Sequence, residues 1–270
     1  MPFCSVALPA LQAQEPAEKK AIPNAAPNAT PEAEQKRPGH LIQISLPITA
    51  KVATQVENTL ERLATDSKKV LRLEDQPVVV LEFQTSSGRT GQGSDFESCL
   101  SLARFLAREE MNRLLTVAYI PARRTDMVVD DAGATAKLTG HAVLVAIAAN
   151  RIAIAPTAAI GAAGIDESGN DPIVKATYES IAQRRTLPES VVQAMVDKTK
   201  DLHRVKTDNE WSFVTGDRLD ELVVVESKTL TTAKDFLMLT GAELKEFGLI
   251  QDRTQSKSDL IAQYLSLIHI

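Results

Sequence analysis

An α/β fold, built on a mostly parallel sheet flanked by helices, follows from three features of the sequence. Val78-Val79-Val80-Leu81-Glu82-Phe83, after Pro77, is a nearly unbroken apolar run of the kind buried on both faces of a parallel sheet. Upstream, an alternating segment and an amphipathic helix lead into that run, which makes a βαβ unit. Downstream, the apolar stretch His141 to Ala149 reads as a buried helix, and Arg151-Ile152-Ala153-Ile154-Ala155 alternates as a strand before Pro156.

The elements follow in order. Val6 to Gln14 has the apolar end and small-residue cleavage site of a signal peptide, so residues 1–14 read as its remnant, with cleavage after Ala13. Residues 15–39 are rich in Pro, Ala, Glu, Lys and Asn, too poor in large apolar groups to pack, and are expected to be a disordered linker. The folded domain is expected over residues 40–252, with a C-terminal helix and tail over 253–270. Leu41 to Leu46 alternates as a strand, and Thr49 opens a helix that sets Val52, Val56, Leu60 and Leu63 on one face. A helix over Asp95 to Glu110 carries Phe96, Cys99, Leu100, Ala103, Phe105 and Leu106, and Leu115 to Ile120 is the third strand. Arg123 to Lys137, with Asp126, Asp130 and Asp131, reads as a polar loop over the mouth of a site.

Past Asp171, one helix runs through Tyr178, Ile181 and Ala182, and a second starts at Pro188 with Val191, Val192, Ala194, Met195 and Val196 on it. Trp211 to Val214 and Leu222 to Glu226 are expected to pair as a β-hairpin around Gly216-Asp217. Thr240 and Glu243 have the spacing of a capping box, and a short helix is expected over Ser258 to Leu265. The long apolar stretch Leu138 to Gly164 is a poor membrane span, because Asn150, Arg151 and Pro156 would enter the bilayer at a cost that a core helix and strand avoid.

Composition narrows the function classes. The chain has 270 residues, enough for a sizeable core, and only 4% of them are aromatic, so that core rests on Val, Ile, Leu and Ala. A net charge of −5 with interspersed signs offers no basic field for nucleic acid. Cys4 and Cys99 make neither a disulfide framework nor a metal pattern, and Cys99 falls in the periodicity of a buried helix face. Asp166, Glu167 and Asp171 lack a histidine or a regular ligand spacing and read as a solvated loop, so no metal or cofactor is expected.

The order of small turn at Thr139-Gly140, apolar helix, Ala148-Ala149-Asn150-Arg151-Ile152, Ala155-Pro156 and Ile160-Gly161 resembles the Clp protease/crotonase superfamily. Within it, the likeness is to signal peptide peptidase A and to NfeD-type "membrane-bound serine protease, ClpP class" proteins. A second stretch, Leu239-Thr240-Gly241-Ala242-Glu243 with Phe247-Gly248-Leu249-Ile250, is similar to the family's closing helix, and the resemblance spans roughly residues 41–251. It implies a spiral of ββα units. Counting back from Pro156 without a gap, the family's nucleophilic serine falls on Gly140, followed by His141 and Ala142. The family's oxyanion turn falls on Gln84 to Gly88, where Thr85 and Gly88 match and Ser86 and Ser87 stand for its proline and first glycine. Backbone donors there would hold a developing oxyanion, which makes Thr85, Ser87, Gly88 and His141 the implied substrate-binding positions. Lys175 is the nearest candidate for the lysine of a Ser-Lys dyad.

Three functions follow from that resemblance. The missing serine favours an exported, catalytically degenerate protease-like domain that binds polypeptide segments or acts as a scaffold in envelope protein quality control. A peptidase with a relocated nucleophile would draw on Ser86, Ser87 or Ser94 with His141 or Lys175. A crotonase-like acyl-thioester enzyme would use the oxyanion fold without a serine. The resemblance also implies homo-oligomerisation, and a membrane-protein partner fits an envelope location.

Overall fold

The computed structural model describes residues 39–67, 76–85, 89–122, 135–250 without 168, 170, 186 and 209, and 256–264. The leader and linker readings over residues 1–38, the oxyanion-turn positions Ser86, Ser87 and Gly88, and the loop acids Asp126, Asp130 and Asp131 lie outside them.

The alternating segment forms β1, Gly39–Ile44, two residues upstream of the expected span, and Thr49 turns the chain into α1, Ala50–Asp66. The apolar run is β2, Val78–Phe83, buried at every position. Asp95 caps α2, Phe96–Leu106, by accepting the Ser98 N–H at 2.9 Å. The helix stops four residues before the expected Glu110. After Leu106 the apolar face is spent, and Glu109–Arg113 tightens into a 3-10 turn with Met111 as its buried residue. Next come β3, Leu115–Ile120; β4, Lys137–Leu138; α3, Ala142–Ala148; and β5, Arg151–Ile154. β1, β2, β3 and β5 hydrogen-bond in that order as an all-parallel sheet, with Gly39 opposite Val78 and Val117 opposite Arg151.

Both faces of this sheet are covered, as all-parallel sheets require. Val79, Leu81, Phe83, Ala118, Ile120, Ile152 and Ile154 join the main core with α1, α2 and α3. Val78, Val80, Val117, Tyr119 and Ala153 lie on the other face under Leu260 and Tyr264. Those two residues belong to the last helix among the described residues, Lys257–Tyr264. The apolar stretch that could have suggested a membrane span is thus core. Asn150 within it is satisfied, its side chain accepting from the N–H and hydroxyl of Thr116 at 2.9 and 2.6 Å. Among the described residues, no helix is long and apolar enough to cross a membrane.

A second sheet consists of short strands. β6, Ala159–Gly161, pairs parallel with β4 and antiparallel with β10, Met238–Thr240, which leads through the capping box of Thr240 and Glu243 into α6, Gly241–Glu246. Between β6 and β10 lie α4, Pro172–Ala182, and α5, Glu189–Val196; α7 is the last helix already given. A third sheet departs from expectation. β7, Leu202–Lys206, sits between β8, Trp211–Thr215, and β9, Glu226–Thr231, so the expected hairpin of Trp211–Val214 with Leu222–Glu226 does not form. Gly216–Glu221 is a 3-10 helix, not a tight turn, and it carries the chain across β7 to the far side. Leu222, Val223 and Val225, expected within the strand, precede it and are exposed.

Candidate functional site

The chain turns sharply between β4 and α3, and Gly140 makes the turn possible with φ of +63°. Its N–H donates to Ala162 O at 3.1 Å, and its carbonyl accepts from Val143 N at 3.1 Å. Thr139 ties the turn to the preceding loop, its N–H and hydroxyl both donating to Thr90 O, at 2.6 and 3.3 Å. That loop comes close. A Cβ on Gly91, itself at φ +93°, would lie 2.7 Å from Thr139 O and 2.8 Å from the Ala142 side chain.

Above Gly140 the space for a side chain is taken by the tip of Asp166. A Cβ there would collide with Asp166 Oδ2 and come within 3.1 Å of Gly91 O and 3.2 Å of Gln92 Cα. Asp166 is fixed in this position by the Gly93 N–H, which donates to the same oxygen at 3.0 Å. The open side of the arrangement is a cleft of about 470 Å³ lined by Pro47, Arg89, Thr90, Gly91, Gln92, Gly93 and Asp166.

His141 opens α3 and is buried, with 4% of its side chain exposed. Nε2 lies 2.9 Å from Glu167 Oε1, the ring stands edge-on to Phe96 at 5.0 Å between centroids, and Nδ1 is buried without a partner among the described residues. Asp166 and Glu167 are therefore not a solvated loop: they are half-buried and bonded to the helix start and to the Gly91–Gly93 loop. Ser94 is committed as well, its hydroxyl donating to Gly91 O at 2.6 Å and accepting from Ile48 N at 2.9 Å. Thr85 Oγ1 is buried, with no partner among the described residues.

Lys175 lies elsewhere. Its ammonium pairs with Asp197 across α4 and α5, in a cavity of about 550 Å³ bounded by α5 and β8 residues such as Ser190, Gln193 and Phe213. Burial would push the Asp197 carboxyl up, but the bonds from Lys175 and from the Thr199 hydroxyl and N–H outweigh it and hold the carboxyl below its usual range. Cys99 faces the core behind the site, and burial, helped by the charges of Asp95 and Asp166, raises its thiol to about 12.

Sequence reasoning found Gly140 and His141 and missed Asp166, Glu167 and the Gly91–Gly93 loop as their neighbours. The Thr90-Gly91-Gln92-Gly93-Ser94 run was a usable signal, since two close glycines mark backbone approach. Nothing in the local sequence says that Asp166 reaches the turn.

No protein-family profile matches the chain, and no curated protein matches it in sequence. Among solved structures, it is similar to a mutant of the 1510-N membrane-bound stomatin-specific protease, at 14% identity over 84% of each chain with a TM-score of 0.50. The chain shares the α/β fold of that protease, a parallel sheet flanked by helices. The same protease from Pyrococcus horikoshii aligns at 14% identity over 84% of this chain and 79% of that one, TM-score 0.47. An enoyl-CoA hydratase/isomerase family protein from Silicibacter pomeroyi aligns at 12% identity over 84% and 76%, TM-score 0.46.

Proposed function

We propose that this chain is a catalytically degenerate protease-like domain that binds polypeptide segments or serves as a scaffold, exported and acting in envelope protein handling beside a membrane-protein partner. One observation carries the reading. The position that the resemblance aligns with a nucleophilic serine is a left-handed glycine whose side-chain space is filled by Asp166 Oδ2 and the Gly91-Gln92 backbone.

The electrostatics agree. Catalysis of acyl transfer needs fixed donors aimed at growing negative charge, whereas a carboxylate fixed over the start of α3 opposes that charge. The Gly140 N–H is already spent on Ala162 O, and the Ser94 hydroxyl on Gly91 O. What remains open is the cleft of about 470 Å³ lined by Arg89, Gln92 and Asp166, into which a polypeptide segment would fit.

The test is single-turnover exposure of the full chain to a diverse peptide library, together with labelling by a serine-directed fluorophosphonate. Peptides captured but uncut, with no labelled serine, are expected. A label mapped to Ser86, Ser87 or Ser94 would show a relocated nucleophile and end this reading.

A further inference from the structure

The third sheet has an open edge with an unusual order of residues. β9 is an edge strand, paired through β7 alone, and among the described residues no strand lies on its outer side. The chain entering it is apolar and exposed: Leu222 is 38%, Val223 81% and Val225 64% exposed, and the Val225 N–H donates to Lys206 O at 2.8 Å, prolonging the contact with β7. An unpaired edge continued by exposed β-branched residues is a template for another strand.

The charges on β9 say which strand. Glu226 and Lys228 stand on one face, opposite Lys206 and Arg204 of β7, with Ser227 between them on the other. If a second copy pairs antiparallel about a twofold axis through Ser227, Glu226 of each copy faces Lys228 of the other, and Val225 faces Thr229. Moving the axis by one residue in either direction sets Glu226 or Lys228 against its own copy, and like charges directly opposite are destabilising. The charged residues that ordinarily guard an edge here favour one register, the one that pairs Glu226 with Lys228, and penalise its immediate neighbours. An antiparallel edge pair is isologous and closes at two copies, which spares the chain an open fibre. We infer that β9 is a homodimer contact, joining the third sheets of two copies into one six-stranded sheet. The inference stands apart from the reading of the Gly140 site.

Sedimentation equilibrium of the full chain over a range of concentrations tests it. A reversible monomer–dimer equilibrium is expected. Because the twofold repeats each pair, Glu226→Lys or Lys228→Glu alone should weaken the dimer about tenfold or more, and the two together should restore it. Val223→Lys, at a side chain bare in the monomer, should also weaken the dimer while leaving the melting temperature of the dilute, monomeric chain unchanged, and it decides the matter if a charge reversal disturbs folding. A chain that is monomeric at every concentration, a dimer indifferent to Val223→Lys, or a well-folded double reversal that fails to restore pairing would overturn the inference. So would capture of a foreign extended peptide on β9 by a chain that otherwise stays monomeric.

Discussion

Replacing Gly140 measures how completely the start of α3 is occupied. Alanine or serine must adopt the left-handed conformation and displace Asp166 from its bond with Gly93. We expect each substitution to cost about 2–4 kcal/mol in urea unfolding. Gly140→Ser is also expected to stay inactive toward peptides, because the displaced carboxylate still lies beside the start of α3 and the residue's N–H stays bonded to Ala162 O. Cys99 gives a second test at this scale. With its thiol raised to about 12 and its side chain fully buried, it should resist iodoacetamide at pH 8 in the native protein and react on unfolding, as read by mapped mass spectrometry.

Among the elements, α7 shows how tertiary contacts hold a short helix. Eight residues are too few for a stable isolated helix, so it is held by Leu260 and Tyr264 on the sheet, by Lys257 to Glu82 at 2.8 Å and by Arg151 to the Tyr264 hydroxyl at 3.1 Å. Tyr264→Ala would uncover Val78, Val80, Val117 and Tyr119. A loss of about 3–5 kcal/mol is expected, seen as a lower urea midpoint. The misplaced hairpin has an elemental cause too. Leu202–Lys206 and Glu226–Thr231 are mostly polar and carry little local strand signal, so the pattern of the sequence marked only Trp211–Val214 and the apolar run Leu222–Glu226 and paired them with each other.

For the whole molecule, the Lys175–Asp197 pair joins α4 to the end of α5 and links folding to pH. A carboxyl held below its unfolded value contributes stability that is present above about pH 4 and is lost as the pH falls through the lower native value. Asp197→Asn should be less stable than the parent chain at pH 7. The gap should narrow below about pH 4, and thermal melts across that range would show it.

The α/β class, the βαβ opening, α1, α3, β5 and the capping box of α6 were legible in the sequence by itself, because each rests on local periodicity or local hydrogen bonding: the apolar run of Val78 to Phe83, the Val56 and Leu60 face, the Thr240 and Glu243 spacing. Gly140 was legible as a turn for the same reason. Only the tertiary structure decided what stands around it. Asp166 over Gly140, Glu167 on His141, Asp197 on Lys175 and α7 across the second face of the sheet are contacts between segments far apart in the chain. Such contacts are selected by the packing of the whole core, and a charged residue in a loop carries no local mark of the partner that will bury it.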